Sequence, residues 1–411
     1  MFKGTSGLSN KIPNILMTQY LPVILSAFFS LLIFYYPLLS VIILVFLSPL
    51  LSPLARRLSL IFVATTIIVF FATQKPFSDI AEYMSIYNGI YDGSVEVFNY
   101  PRFGKGLEFM FLAFMKFVGY ITGANEQALL LVSYCLIVAL LTSITKDIDN
   151  KFRVMLLGLF FLNLGFIEVT SYFLRQIIST LIFLYAIKST TRYRWALFLV
   201  SFFFHISAAI NILIYIAYRL TRKQKVSLPI VIVFSFLGAS FLFLSPLFDF
   251  LLQRFSDVSS NDKFSTLPVN YIIITTVNLL IICRLRFLSG NKERLISFLL
   301  IKEVVLFYTL LPFPALSNRL GMILFALYPF FLKNYLFNSG MKFKQKYFYG
   351  CLLLGINLIP FLYLMLNVTA GNNSYTFLES RPLNENVYNI ISYLMHTFSN
   401  GLEYINQGNE K

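Results

Sequence analysis

The sequence predicts an all-α, polytopic integral membrane protein of about 11–13 transmembrane helices, one or two of them irregular or re-entrant. Three observations carry this. First, 58% of the 411 residues are hydrophobic and only 12% are charged, whereas a soluble chain carries roughly 25% charged residues. Second, the apolar residues come in long runs, and about 20 of them at 1.5 Å of rise each cover the ~30 Å of hydrocarbon in a bilayer. Third, the ten-residue alternation of an outer-membrane barrel is absent. Backbone in lipid must satisfy its own hydrogen bonds, and a helix does so unaided.

The candidate segments run 18–36, 37–54, 58–73, 107–122, 127–145, 153–170, 172–190, 195–218, 227–245, 268–283, 295–312, 316–333 and 347–367. Lys3 and Lys11 precede the first, which reads as a span rather than a removed peptide. Pro37 turns the first segment into the second, and Arg56 and Arg57 precede the third. Together residues 1–367 read as one membrane domain. It is interrupted by a polar loop, 74–106, rich in tyrosine and carboxylates, and followed by a polar tail, 368–411, with a weak apolar patch near Ile390 to Leu394.

The net charge of +15 invites a nucleic-acid reading. The basic residues sit in short clusters between apolar runs, which is the topology signal of a membrane protein facing anionic headgroups. No nucleic-acid partner is expected. Cys135, Cys283 and Cys351 lie inside apolar runs without metal or redox spacing and read as small core residues.

Strict alternation of crossings leaves a conflict. It gathers most basic clusters on one side but sends Lys146, Lys151, Arg153, Arg192 and Arg194 to the other. The conflict disappears if 107–122 lies along or re-enters the membrane and 195–218, with polar His205 and Ser207 in its middle, bends within it.

The informative residues are polar ones placed where they are expensive, because a charge at mid-membrane costs at least about 2.5–3.5 kcal/mol. Arg175 and Gln176 stand between two apolar segments, and a guanidinium fork matches phosphate oxygens. His205 lies in Phe204-His205-Ile206-Ser207-Ala208, at an offset from the intervening turn that brings it near the depth of Arg175. Asp79, Glu82, Tyr83 and Tyr87 fall on one face of a short helix, and Glu108 opens the next apolar segment. Arg319 begins a span after Pro312 and Pro314. Carboxylates with aromatic rings suit sugars, and a cation beside a base suits chemistry on a phosphate-linked substrate. No metal motif, phosphate-binding glycine loop or nucleophile elbow is present. Asp147-Ile148-Asp149, in a short basic loop, reads as solvated.

The order of these motifs resembles the EpsG family of Wzy-type polysaccharide polymerases. The resemblance rests on Asp79, Tyr83 and Tyr87 in the loop, Gly106-Leu107-Glu108-Phe109, the Arg175-Gln176 pair and Phe204-His205-Ile206-Ser207-Ala208, within about residues 70–220. Phe109-Met110 replaces a Pro-Gly after Glu108, and Asp79 stands apart from Tyr83 rather than beside a tyrosine. The resemblance implies a glycosyltransferase of a bacterial inner membrane, active at the periplasmic face. It would join oligosaccharide repeat units carried on undecaprenyl diphosphate, without a cofactor. Arg175, helped by Arg319, would stabilise the departing diphosphate. His205, or a carboxylate such as Asp79 or Glu82, would take the acceptor proton. Tyr83, Tyr87 and Glu108 would hold sugars, with Gln176 and Ser207 also against substrate. Membrane lipid, a flippase and a chain-length regulator are the partners implied. The rival expectations are a lipid-linked oligosaccharide flippase or transporter, and an O-antigen ligase-like glycosyltransferase.

Overall fold

In the computed structural model every described regular element is a helix; residues 28–76, 79–98, 100, 106–189, 192–224, 269–289, 294–309, 311, 314–369 and 386–401 are described. After a helical stretch at 28–35, the helices are α1 (Pro37–Leu47), α2 (Pro53–Ala72), α3 (Asp79–Asp92), α4 (Phe109–Thr122), α5 (Glu126–Ile144), α6 (Arg153–Phe161), α7 (Leu164–Tyr172) and α8 (Leu174–Lys188). They continue with α9 (Arg194–Phe204), α10 (Ala208–Gln224), α11 (Val269–Ser289), α12 (Arg294–Thr309), α13 (Pro314–Leu332), α14 (Phe343–Thr369) and α15 (Val387–Asn400). The segment predicted at 227–245 and most of that at 18–36 lie outside the described residues.

Local chemistry sets the helix starts. Ser52 accepts from the Ala55 N–H with Pro53 in the first turn, and Asn125 accepts from the Ala128 N–H, each satisfying a donor the helix leaves open. By length and composition, α2, α5, Ser317–Phe337 and Phe343–Leu366 can each cross a membrane, and α6 with α7 makes a fifth span bent by 63°.

That bend falls inside the apolar segment expected at 153–170. Asn163 breaks the run because its side chain serves two helices. Its Oδ1 caps α7 at the Phe166 N–H, 3.0 Å away, and its Nδ2 donates to the Phe325 carbonyl of α13 at 2.7 Å. That carbonyl is the one deprived of its i+4 donor by Pro329, which has no N–H. In lipid such a group must find a partner, and here it finds an asparagine from another helix. Gly165 then lets α7 close on α13, since a Cβ there would stand 2.8 Å from the Met322 carbonyl oxygen.

Side-chain bonds sort the helix ends into two groups. At one end lie the basic residues. Tyr347 donates to the Phe46 carbonyl, joining the end of α1 to the start of α14. Lys151 sits over the Phe343 ring, and Arg194 donates to the Tyr215 hydroxyl and the Ser189 carbonyl. Arg219 covers Trp195, so α9 and α10 form a hairpin with both feet at the basic end. At the opposite end Gln127 donates to the Ala72 carbonyl, Ser171 to Gln74 and Asn88 to Glu126. Both ends of α4 belong to this second group, so 107–122 does not run from one end of the bundle to the other. The five basic residues that strict alternation would have stranded thus join the others. At 11 residues α9 rises only ~16 Å, about half the hydrocarbon thickness.

One expectation is extended and another overturned. Asp147 is exposed but not merely solvated: its Oδ1 pairs with Lys188 at 2.6 Å and with Lys333 at 2.9 Å, and Asn338 donates to Oδ2. The lysines arrive on α8 and after α13, so the loop ties three elements. Burial opposes ionisation of Asp147, but bonds and charge from Lys188 and Lys333 outweigh it and hold the carboxyl below its ordinary range. A carboxyl with a depressed folded pKa contributes stability above its unfolded pKa and loses it as pH falls through the folded value. Because the carboxylate is 41% exposed and its pairs are screened by water, Asp147→Asn is expected to destabilise the purified protein at neutral pH by no more than about 1 kcal/mol. In thermal melts the variant and the parent should converge only as the pH falls below the ordinary carboxylate range. Nor are the cysteines core residues: Cys135 and Cys283 are exposed and Cys351 is half-buried, because a helix flank facing lipid is as apolar as one facing protein.

Candidate functional site

The site is built where helices break at the end opposite the basic cluster. Phe173, with φ −124° and ψ 50°, separates α7 from α8 and puts Arg175 in the first turn of α8. His205 ends α9 in an extended conformation, φ −159° and ψ 126°, and forms the tip of the α9–α10 hairpin. Reciprocal bonds fix that tip against α8: the Ser179 hydroxyl donates to the Ser201 carbonyl at 2.7 Å, and Ser201 to the Ser179 carbonyl at 2.8 Å. Small hydroxyl residues of this kind bring two helices close while satisfying themselves.

Glu108, at the start of α4, is the hub. One carboxylate oxygen pairs with the Arg175 guanidinium. The other accepts the Ile206 N–H at 2.9 Å and lies 3.9 Å from His205 Nδ1. The Ile206 donor is free for this role because the helix has just ended at His205. The pair is nearly enclosed, with 14% of the Arg175 side chain and 5% of that of Glu108 exposed.

Arg175 Nε also donates to the Tyr83 hydroxyl at 3.0 Å, and its guanidinium lies over the Tyr83 ring, 5.2 Å from the centroid. Tyr83 in turn donates to Asp79 at 3.4 Å. Burial pushes the Tyr83 hydroxyl pKa up, with Arg175 acting the other way, so the phenol keeps its proton and relays Arg175 to Asp79. Asp79 and Tyr83 thus meet one helical turn apart.

His205 Nδ1 accepts the Ser207 N–H at 3.2 Å and meets the Ser207 hydroxyl at 2.8 Å. An Nδ1 that accepts from the Ser207 N–H puts the proton of a neutral ring on Nε2, which is then a donor. Arg319 stacks its guanidinium over Phe173, 4.9 Å from the centroid, and its charge acts on His205.

The structure therefore brings together Arg175, His205, Asp79, Tyr83, Glu108, Ser207 and Arg319. Gln176 is half-buried next to Arg175 in the chain, and Glu82 is half-buried beside Tyr83. Tyr87 lies elsewhere. It is 1% exposed, packs on Gly119 and meets the Thr122 hydroxyl at 3.1 Å, at the far end of α4. That end is ~20 Å from Glu108 along the helix axis. The sugar-holding role expected of Tyr87 does not fit a buried ring that fastens α3 to α4. Glu108 differs from expectation as well, since both its oxygens are engaged by the protein. Sequence reasoning missed the Ile206 N–H and the Phe173 platform, because a backbone donor and a stacking ring show only once the helix ends are located. Among the described residues, no three His, Cys, Asp or Glu side chains gather as a metal site would require.

No curated protein and no solved structure matches the chain. The profile described as the EpsG family matches residues 57–378. That stretch is most of the chain and holds the whole polar cluster, and the protein belongs to the EpsG family of Wzy-type polymerase-like membrane proteins.

Proposed function

We propose that this protein polymerises oligosaccharide repeat units carried on undecaprenyl diphosphate into a surface polysaccharide, at the outer face of a bacterial inner membrane. A hydroxyl of the incoming unit attacks the anomeric carbon of the growing chain. The new glycosidic bond forms as the carbon–oxygen bond to the diphosphate breaks, and the diphosphate leaves with the electron pair. The observation that carries the reading is the enclosed Arg175–Glu108–Ile206 group beside His205, at the end of the bundle away from the basic residues.

Each group has a role. Arg175, with Arg319, neutralises charge that develops on the leaving diphosphate, where a positioned cation has most effect. Glu108 orients Arg175 and the hairpin tip together, which makes it a positioning residue. The His205 Nε2–H donates to a phosphate or sugar oxygen. The proton of the attacking hydroxyl passes to a carboxylate, Asp79 or Glu82. The positive-inside rule puts the basic end in the cytoplasm and so the cluster towards the periplasm. A chain-length regulator and a flippase of the same pathway are the partners this reaction calls for.

Deleting the gene and resolving the cell's surface polysaccharide on a gel tests the reading. The expected result is loss of the ladder, with single repeat units still delivered to their final acceptor. Loss of every unit would point instead to a flippase or a ligase, and an unchanged ladder would end the proposal.

A further inference from the structure

The polar tail contains α15, whose residues divide into three faces. At about 100° per residue, Tyr388, Ile391, Met395 and Phe398 fall within an arc of about 80°, and all four are exposed, at 68%, 53%, 66% and 39%. The next arc holds the exposed polar residues Asn389, Ser392, His396 and Ser399. The third, with Ile390, Leu394 and the buried Thr397, packs on the protein. A helix in contact with protein, water and one other medium has this pattern; a helix on a soluble surface needs only two faces. The helix contains no Lys, Arg, Asp or Glu.

Its place in the fold identifies the third medium. The Asn125 amide donates to the Phe398 carbonyl at 3.1 Å, and Asn125 is the cap of α5. With 19 residues, α5 is ~28 Å long, nearly the hydrocarbon thickness, so its cap stands at the membrane boundary. A few residues before Asn125 in the chain, the last turn of α4 also exposes Tyr120 at 88% and Ile121 at 65%. Aromatic rings are favoured at that depth. Four side chains are too few for a stable protein interface, which needs about 800 Å² per partner.

We propose that α15 is an interfacial helix, lying in the plane of the membrane at the same end of the bundle as the polar cluster, with its Tyr388–Ile391–Met395–Phe398 face seated in the headgroup–acyl boundary of that leaflet. Having no charge, it is held by apolar burial alone and needs no anionic lipid, unlike a polybasic anchor. The inference does not depend on the reaction proposed above.

Spin labels at Ile391→Cys, Met395→Cys, Ser392→Cys and His396→Cys, placed one at a time in the full chain with Cys135, Cys283 and Cys351 replaced by serine, test it in nanodiscs of zwitterionic lipid. Labels at 391 and 395 should be several-fold more accessible to oxygen than to a water-soluble nickel chelate, and labels at 392 and 396 the reverse. Access of the chelate to all four would overturn the proposal. So would shielding of 391 and 395 from both reagents, which would mean that a second copy or another protein covers the face. Enrichment with anionic lipid should leave the oxygen-to-chelate ratios unchanged, and a strong dependence would also count against it.

Discussion

Arg175→Ala should abolish long polysaccharide chains, with a loss of at least about 10²–10³ in polymerisation rate, the scale for removing one preorganised donor from developing charge. The same substitution leaves the enclosed Glu108 side chain without its cation, which costs about 3–5 kcal/mol of stability. A loss of polymer could therefore come from chemistry or from folding. The double variant Arg175→Met with Glu108→Leu separates them. Replacing both partners of a buried pair by apolar residues is often neutral for stability, so this protein should recover most of its amount and thermal midpoint in detergent, short of the cost of the Ile206 N–H left without its acceptor, while remaining inactive. Arg175→Lys keeps the charge but loses the planar fork and the stacking on Tyr83, and should be stable yet strongly impaired. Normal chain lengths from the double variant would remove Arg175 and Glu108 from the reaction and leave them as a structural pair.

The largest expected effect on the fold is at Gly165. In Gly165→Val the first added carbon meets the Met322 carbonyl oxygen and the Phe325 Cβ, both at 2.8 Å, and the backbone oxygen cannot rotate away. The α7–α13 contact must open, which costs about 1–3 kcal/mol for overpacking. Opening also withdraws Asn163 from the carbonyl that Pro329 leaves without a donor, adding about 1–3 kcal/mol. The variant should show a clearly lowered thermal midpoint by fluorescence-detected gel filtration and reduced polymer, because α7 leads directly into Phe173 and Arg175. Gly355→Ala is the control: nothing lies within 4 Å of its added carbon, and the midpoint should hold or rise slightly. An unshifted midpoint for Gly165→Val would mean that α7 and α13 do not approach this closely.

Particular residues show what the sequence made legible. The helical membrane character was readable because bilayer thickness and backbone hydrogen bonding leave few solutions to a chain this apolar. The two irregular segments were readable from charge: Lys146, Lys151, Arg153, Arg192 and Arg194 join the other cations only if 107–122 does not cross and 195–218 bends. Arg175 and His205 stood out because polar groups at that depth are costly. The break at Asn163 carried a signal, an asparagine with a glycine two residues on, but its cause sits on α13, where Pro329 frees a carbonyl.

The sequence by itself determined that this is a helical membrane protein, and which polar residues were candidates for chemistry. Only the tertiary structure decided how those candidates divide. It closes Glu108 onto Arg175 and the Ile206 N–H, joins Asp79 to Arg175 through Tyr83, and turns Tyr87 away to brace α4. It also shows that Asp147, at the protein surface, holds Lys188 and Lys333. The physical reason is common to all of these: hydropathy and charge report the cost of a residue's depth, which local sequence sets. The partner that offsets the cost comes from a helix tens to hundreds of residues away, and only folding brings it there.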